Sequence, residues 1–260
     1  MKKLIIILLT SFLFWSCNDN QSFVVDGVTF NMIYVKGGTF QMGATSEQLS
    51  DAEDDEKPVH SVTVSDFYIG ETEVTQGLWN AVMGENPSCF QKGDDYPVEF
   101  VSWDMCQDFI EKLNQKTGKT FCLPTEAEWE FAARGGNKSL GFKYSGSNDL
   151  SEVAWYGFYD DNDNNRTITE FTSMPVKQKK ANELGLYDMS GNVYEWCQDW
   201  YDSYSDSPQT DPQGADAGCF CVLRGGTWCY DKQTCRVSKR SLEFPNYKQE
   251  DYGLRLVLIP

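Results

Sequence analysis

Histidine is almost missing from the chain, because His60 is the only one among 260 residues. This scarcity excludes serine-histidine-aspartate triads and metal sites built from several histidines. Basic residues are also few, with 22 Lys and Arg against 39 Asp and Glu, and the formal net charge is −17. Such an acidic surface repels phosphate backbones, so we expect no nucleic-acid partner. The sequence also lacks a Gly-x-Ser-x-Gly elbow and a phosphate-binding glycine loop.

Long apolar runs are missing too, apart from one of 12 residues at positions 4–15. A membrane-spanning helix takes about 20 residues, so this run is typical of a secretory signal. Cys17 follows directly, which predicts a lipoprotein signal over residues 1–17 with Cys17 as the lipidated residue. The alternative is an ordinary cleaved signal with a chance cysteine. We expect a cell-envelope protein in the inner or outer membrane, held by its lipid anchor only, with its domain in the periplasm or at the cell surface.

The remainder is predicted as a linker over residues 18–27 and one domain over residues 28–260. Ser102 precedes apolar residues at helical spacing that stop at Gly118, which predicts a helix. A capping box from Thr125 to Glu128 predicts a second helix that ends before Gly135. Strands are expected at 62–64, 67–69 and, closing the chain, 254–259. The acidic stretch 47–57 is interpreted as a solvated loop.

Eight cysteines follow Cys17, and in an exported protein disulfides are the expected state for most of them. Their spacing does not give the pairing. They are Cys89, Cys106, Cys122, Cys197, Cys219, Cys221, Cys229 and Cys235.

Several sequence blocks together resemble the formylglycine-generating-enzyme, or sulfatase-modifying-factor, family. The resemblance implies one α+β domain, a C-type-lectin-like variant with much irregular loop. It extends over nearly all of the chain after the signal, because the blocks follow the family order from residue 37 to residue 256. They are GGTFQMG (37–43), PVH (58–60), FYIGETEVT (67–75), PVEFVSW (97–103), LPTEAEWE (123–130), GLYDMSGNVYEW (185–196), LRGGTW (223–228) and YGLRL (252–256).

A calcium site is implied by the same resemblance. The matching positions are Asp188, Gly191, Val193 and Glu195, which offer two carboxylates and two backbone carbonyls, the oxygen ligands that calcium takes. The alternative is structural: Asp188 caps a turn, and Glu195 forms an ordinary surface ion pair.

Copper chemistry is implied as well, since the family holds copper(I) between two thiols while oxygen oxidises a substrate cysteine. Thiolates suit soft copper(I). Counted from Gly225, Cys235 falls on the second family cysteine, but Tyr230 takes the first position and Cys229 lies one place early. Neighbouring side chains in an extended segment point to opposite sides, so the pair is displaced. Cys235 alternatively bonds another cysteine, with Cys197 the first candidate.

We therefore expect a non-catalytic binding or scaffold protein at the cell envelope, whose partner is a protein or surface ligand. The alternative is a copper-dependent oxidase that converts a sulfatase cysteine to formylglycine. Residues 229–234 and 238–241 resemble the variable region of ligand-display lipoproteins diversified by retroelements, which implies exposed loops. A third interpretation resembles lipoprotein parts of gliding or secretion machines.

Overall fold

The computed structural model describes residues 20–48, 50–159, 166–168 and 170–260. The predicted signal and the lipidated Cys17 lie outside these ranges. No helix within the ranges is long and apolar enough to cross a membrane. The twelve described strands are β1 Gln21–Val25, β2 Val28–Val35, β3 Gly38–Met42, β4 His60–Val64, β5 Phe67–Gly70, β6 Phe121–Cys122, β7 Tyr194–Trp200, β8 Gln209–Thr210, β9 Cys221–Arg224, β10 Ser241–Glu243, β11 Tyr252–Leu254 and β12 Val257–Leu258.

Three small sheets and four α-helices form the domain within the described residues. The sheets have the strand orders β1-β2-β5-β12-β6, β10-β9-β7-β11 and β3-β4-β8. Neighbouring strands are antiparallel except for the pairs β7 with β11 and β4 with β8. The helices are α1 Gln76–Met83, α2 Trp103–Thr117, α3 Glu126–Ala133 and α4 Leu150–Val153, and single 3₁₀ turns lie at Asp54–Glu56 and Gly136–Lys138. The predicted single α+β domain is confirmed.

Local sequence signals place α2 and α3 as predicted. The Ser102 hydroxyl accepts a hydrogen bond from the Met105 amide, and Gly118 ends α2 with a φ of 66°. At α3, Thr125 and Glu128 each accept a hydrogen bond from the other's backbone amide, at 3.1 and 2.8 Å. Both caps satisfy amides that the first turn of a helix leaves unpaired.

Two predictions at the chain ends are wrong. Residues 21–25, expected in a linker, form β1 and pair with β2 along their whole length, so they belong to the domain. The closing strand expected over 254–259 is interrupted at Arg255. β11 pairs with β7, while β12 pairs with β5 and β6 in a different sheet. The change of sheet turns the Arg255 side chain into the interior, where it is fully buried.

The acidic stretch 47–57 is not a simple solvated loop. Glu56 is fully buried and receives hydrogen bonds from Arg236, at 2.5 and 2.8 Å, and from the Ser238 hydroxyl. A carboxylate that is paired and hydrogen-bonded tolerates burial, whereas an unpaired one does not. The acidic residues that precede Glu56 in the stretch are more exposed, so charge density alone does not identify the buried one.

The expected disulfides are also contradicted, because all eight described cysteines are free. Cys197 and Cys235, the pair considered first, are both fully buried in separate hydrophobic clusters. Cys197 packs beneath α3, and Cys235 packs with residues of α4. Their thiols therefore behave as small apolar side chains in the core.

Candidate functional site

The Gly-Gly-Thr-Trp loop after β9 positions both predicted cysteines. Gly226 has a φ of +75°, and a Cβ there would lie 2.7 Å from the backbone of Thr234. Only glycine accommodates both this conformation and this approach. The start of the loop therefore lies directly against the segment that leads into Cys235.

Cys229 is buried in an apolar cluster with Trp228, but its sulfur contacts two polar side chains. Its sulfur lies 2.9 Å from the Thr227 hydroxyl oxygen and donates to Asp251 Oδ2 at 3.4 Å. Burial, and then the nearby Asp251 carboxylate, raise the pKa of the Cys229 thiol far above its ordinary value. Burial therefore disfavours the thiolate, which is the nucleophilic form of cysteine.

Cys235 lies on the other side of Thr227. Its side chain packs with Tyr144, Leu150 and Tyr156, in a different cluster from Cys229. Burial raises the pKa of the Cys235 thiol to about 12, although backbone amides, including that of Thr227, oppose the shift. Thr227 thus contacts both cysteines, one through its side chain and one through its backbone.

These cysteines do not fit a copper(I) centre as they are arranged. Copper(I) prefers thiolates, but burial disfavours the thiolate form of both cysteines, and the two side chains pack in different hydrophobic clusters. The displaced spacing seen in the sequence therefore corresponds to two thiols buried in different clusters.

Two carboxyl groups that the sequence analysis did not single out belong to this region. Burial raises the pKa of Asp251 to about 6 and that of Glu99 to about 7. The Glu99 carboxylate accepts a hydrogen bond from the Phe90 amide at 2.7 Å, and its second oxygen is buried without a partner. Glu99 lies inside the block 97–103, and Asp251 directly precedes the block 252–256. Carboxylates are common in this chain, so their position in the sequence was not enough to identify them as site residues.

An aromatic cluster surrounds Trp228, whose ring is fully buried. The rings of Phe90, Phe158 and Phe171 meet it edge-on at centroid distances of 5.9, 5.9 and 4.8 Å. Edge-to-face packing at these distances is favourable and fixes the rings relative to one another. The backbone holds the same region together, because the amide of Phe158 donates to the Trp228 carbonyl at 3.1 Å.

Three aromatic residues at the edge of this cluster face solvent. Tyr159, Phe171 and Tyr230 are 61, 41 and 43% exposed, and we call these three residues the aromatic face. The Tyr159 amide donates to the Cys229 carbonyl at 2.9 Å, and the Gly157 amide to that of Tyr230 at 2.7 Å. The aromatic face therefore rests on an ordered backbone.

Only one of the two loops expected on the surface lies there. In the segment 229–234, Cys229 is buried, whereas the side chains of residues 230–234 are exposed or half-buried. Ser238 and Arg240 are buried, and Arg240 donates to both oxygens of Glu126 at 2.7 and 2.8 Å. The segment 238–241 is thus structural, and the expectation of a variable loop there is wrong.

The predicted calcium residues lie in a buried acidic region. Asp188 has a φ of 57°, and its Oδ2 accepts a hydrogen bond from the Lys177 amide at 2.8 Å. Its Oδ1 is buried without a partner, and burial raises the pKa of this carboxyl to about 6. Burial and the nearby Asp188 carboxylate also raise the pKa of Glu73. This surplus of buried negative charge suits a hard cation.

Glu195 differs from Asp188 because both of its carboxylate oxygens have hydrogen-bond partners. Arg255 contacts both of its oxygens, and the Trp129 indole donates to Oε2 at 2.6 Å. Of the two predicted carboxylate ligands, only Asp188 therefore has an oxygen without a partner. Gly191 is held tightly, since a Cβ there would lie 2.4 Å from the Trp155 carbonyl oxygen. Calcium binding by Asp188, Gly191, Val193 and Glu195 stays a prediction.

The chain matches the model of the sulfatase-modifying factor enzyme 1-like domain over residues 26–259. Chaperone protein LppX of Paenibacillus barcinonensis is 36% identical, over 88% of this chain and 90% of that protein. The formylglycine-generating enzyme of Streptomyces coelicolor is 28% identical, over 87 and 88% of the two chains. The solved structure of Treponema denticola variable protein 1 has 33% identity and a TM-score of 0.81, over 93% of this chain and 99% of the other. The chain belongs to the sulfatase-modifying-factor family.

Proposed function

We propose that the protein is a non-catalytic binding or scaffold protein at the cell envelope, anchored by lipid at Cys17, whose aromatic face binds a polypeptide. The observation that carries the proposal is the combination of an exposed aromatic face with two buried thiols, Cys229 and Cys235, in the loop that supplies Tyr230 of that face. Tyrosine and phenylalanine are enriched in protein interfaces, and exposed clusters of them mark interaction sites.

The rigidity of the aromatic face supports binding. Phe171 packs against the buried Trp228, and Tyr159 packs against Phe171 at a centroid distance of 5.9 Å. A pre-ordered face loses little side-chain entropy when it binds. The 36% identical relative named as a chaperone is consistent with a polypeptide ligand.

The test is binding of a fluorescently labelled, permanently unfolded polypeptide, such as reduced and carboxymethylated α-lactalbumin, measured by anisotropy. Replacing Tyr159, Phe171 and Tyr230 together by alanine should weaken binding by about tenfold or more, or about 1.4 kcal/mol. The matched control replaces Val24, Leu140 and Ile259, which are also exposed but lie outside the aromatic face. Equal affinities of the two triple variants would show that another surface binds.

The second candidate is the copper-dependent oxidase, which would act on a cysteine of an exported sulfatase. It is favoured by the formylglycine-generating relatives and by the free state of Cys229 and Cys235, since neither thiol is used in a disulfide. The two functions differ in one measurable property, which is oxidation of a cysteine peptide by the copper-loaded protein.

A further inference from the structure

A cavity of about 180 Å³ lies between the start of α3, the end of β7 and the loop that follows β7. It shares no lining residue with the aromatic face, with the two cysteines or with the predicted calcium residues.

Hydrogen-bonding groups line much of this cavity. Asp202, Ser203 and Ser205 are exposed on the loop, and Gln209 is half-buried in β8. On the inner side, His60 Nδ1 lies 3.1 Å from the Pro58 carbonyl oxygen, which only accepts, so Nδ1 carries the proton and Nε2 is an acceptor. These groups include both donors and acceptors and lie on different sides of the cavity.

The inner wall carries little net charge at neutral pH. Arg240 is paired with Glu126 through two hydrogen bonds, so the two charges compensate each other. Asp199 accepts a hydrogen bond from the Glu126 amide at 2.8 Å, and burial raises the pKa of its carboxyl to about 8. Asp199 is therefore mostly protonated at pH 7 and can donate a hydrogen bond.

The size of the cavity limits the ligand. A cavity of about 150 Å³ holds a benzene ring, whereas drug-sized ligands occupy roughly 300–1,000 Å³. A volume of about 180 Å³ accordingly fits one six-membered ring with small substituents. Anions are disfavoured by the net charge of −17.

We propose that this cavity binds a single neutral pyranose unit, such as the terminal sugar of a surface glycan. The ring hydroxyls of a pyranose both donate and accept, which matches the mixed lining by Asp199, Ser203, Gln209 and His60. Its C–H faces match the apolar part of the wall, which Met42 and Trp200 contribute. Asp202, at the exposed rim, would accept a hydrogen bond from a sugar hydroxyl.

The test is saturation-transfer NMR with the methyl glycosides of glucose, galactose, mannose and N-acetylglucosamine. We expect saturable binding of at least one of them with a Kd of about 1 mM, or roughly −4 kcal/mol. Ser203→Trp should fill the cavity and weaken binding by about tenfold or more. Gln209→Ala, which removes one polar group, should weaken it by about three- to tenfold.

The matched control is Ser207→Trp, which places the same side chain on the same loop at an exposed position outside the cavity. Its affinity should equal that of the unmodified protein. The proposal is overturned if no neutral pyranoside binds, if binding is unaffected by Ser203→Trp, or if free amino acids or carboxylates compete for the cavity instead. The cavity shares no residue with the aromatic face, so Ser203→Trp and Gln209→Ala should leave polypeptide binding unchanged.

Discussion

Arg255 contacts both carboxylate oxygens of Glu195, at 2.7 to 3.0 Å, and neither side chain is exposed to solvent. The same guanidinium donates to the carbonyls of Gly70 and Tyr187, each at 2.8 Å. One arginine therefore connects β5, the loop before β7 and β7 itself. The Arg255 guanidinium can be buried because these hydrogen bonds and the Glu195 carboxylate compensate for the loss of water.

Arg255→Leu should destabilise the fold by about 3–5 kcal/mol, because it leaves the Glu195 carboxylate buried without its partner. Urea unfolding followed by circular dichroism measures the change. Lys116→Ala is the control, since Lys116 pairs with Asp26 on the surface and such pairs contribute about 0–1 kcal/mol. Similar losses for both variants would contradict the role assigned to the buried pair.

Calcium should stabilise the protein at neutral pH by neutralising the surplus charge around Asp188. Removing calcium with a chelator is expected to lower the unfolding temperature by several degrees. In a chain of this size, such a shift corresponds to a loss of about 1–2 kcal/mol of stability. Asp188→Ala removes the one carboxylate with an unpartnered oxygen, so the variant should not respond to the chelator. Differential scanning calorimetry measures the unfolding temperature of the unmodified protein and of Asp188→Ala with and without the chelator. If the chelator lowers both temperatures equally, Asp188 is not a calcium ligand.

Glu99 should make the stability depend on pH. Its folded-state pKa of about 7 lies above the ordinary value of 4.5, because burial disfavours the ionised form. The folded state therefore keeps a proton that the unfolded state has lost, and stability falls as pH rises from about 4.5 to 7. The slope contributed by this group is at most about 1.4 kcal/mol per pH unit.

Glu99→Gln removes this titration and keeps a side-chain oxygen for the Phe90 amide. The difference in unfolding free energy between the variant and the unmodified protein should change over that pH range in the variant's favour. A difference that stays constant from pH 4.5 to 7 would show that Glu99 does not titrate there. Asp188 titrates in both proteins, so its contribution cancels, whereas Asp251 acts on the Glu99 pKa and the difference includes the interaction of these two carboxyl groups.

The eight described cysteines should remain free thiols in the purified protein. Peptide mapping under non-reducing conditions is expected to find none of them linked within the domain, because all eight are free in the structure and Cys197, Cys229 and Cys235 lie in three different clusters. In the native state a water-soluble thiol reagent should modify Cys89 and Cys219, which are exposed, well before the buried ones. A Cys197–Cys235 crosslink would contradict the structure.

The elements that were predicted from sequence are those specified by local chemistry. α2 and α3 have side-chain caps and apolar residues at helical spacing, and both form where these signals lie. α1 has a comparable cap at Thr75 and buries Leu78 and Val82 on one face, but it has only eight residues and no capping box, and it was not predicted. Local signals thus identify long or doubly capped helices better than short ones.

The long-range contacts could not be predicted. Glu56 and Arg236 form a buried pair across 180 positions, and Arg240 and Glu126 form another across 114. The local sequence around a carboxylate does not show whether it pairs with an arginine more than 100 positions away or is exposed to water. For the same reason the acidic stretch around Glu56 and the segment 238–241 were both expected on the surface.

The candidate site was predicted in part. The offset of Cys229 relative to Cys235 is visible in the sequence, and the structure accounts for it by placing Thr227 between two buried thiols. The aromatic face was not predicted, since Tyr159 and Phe171 meet through the packing around Trp228, and Tyr230 comes from a separate segment of the chain.

The most direct test of the central claim is an anaerobic copper(I) titration of the protein in the presence of a sulfatase-derived cysteine peptide, followed by exposure to air. Because Cys229 and Cys235 are buried in different hydrophobic clusters, we expect neither tight copper binding nor oxidation of the peptide. Stoichiometric copper binding that is lost in Cys235→Ser, together with conversion of the peptide cysteine to formylglycine, would contradict the account.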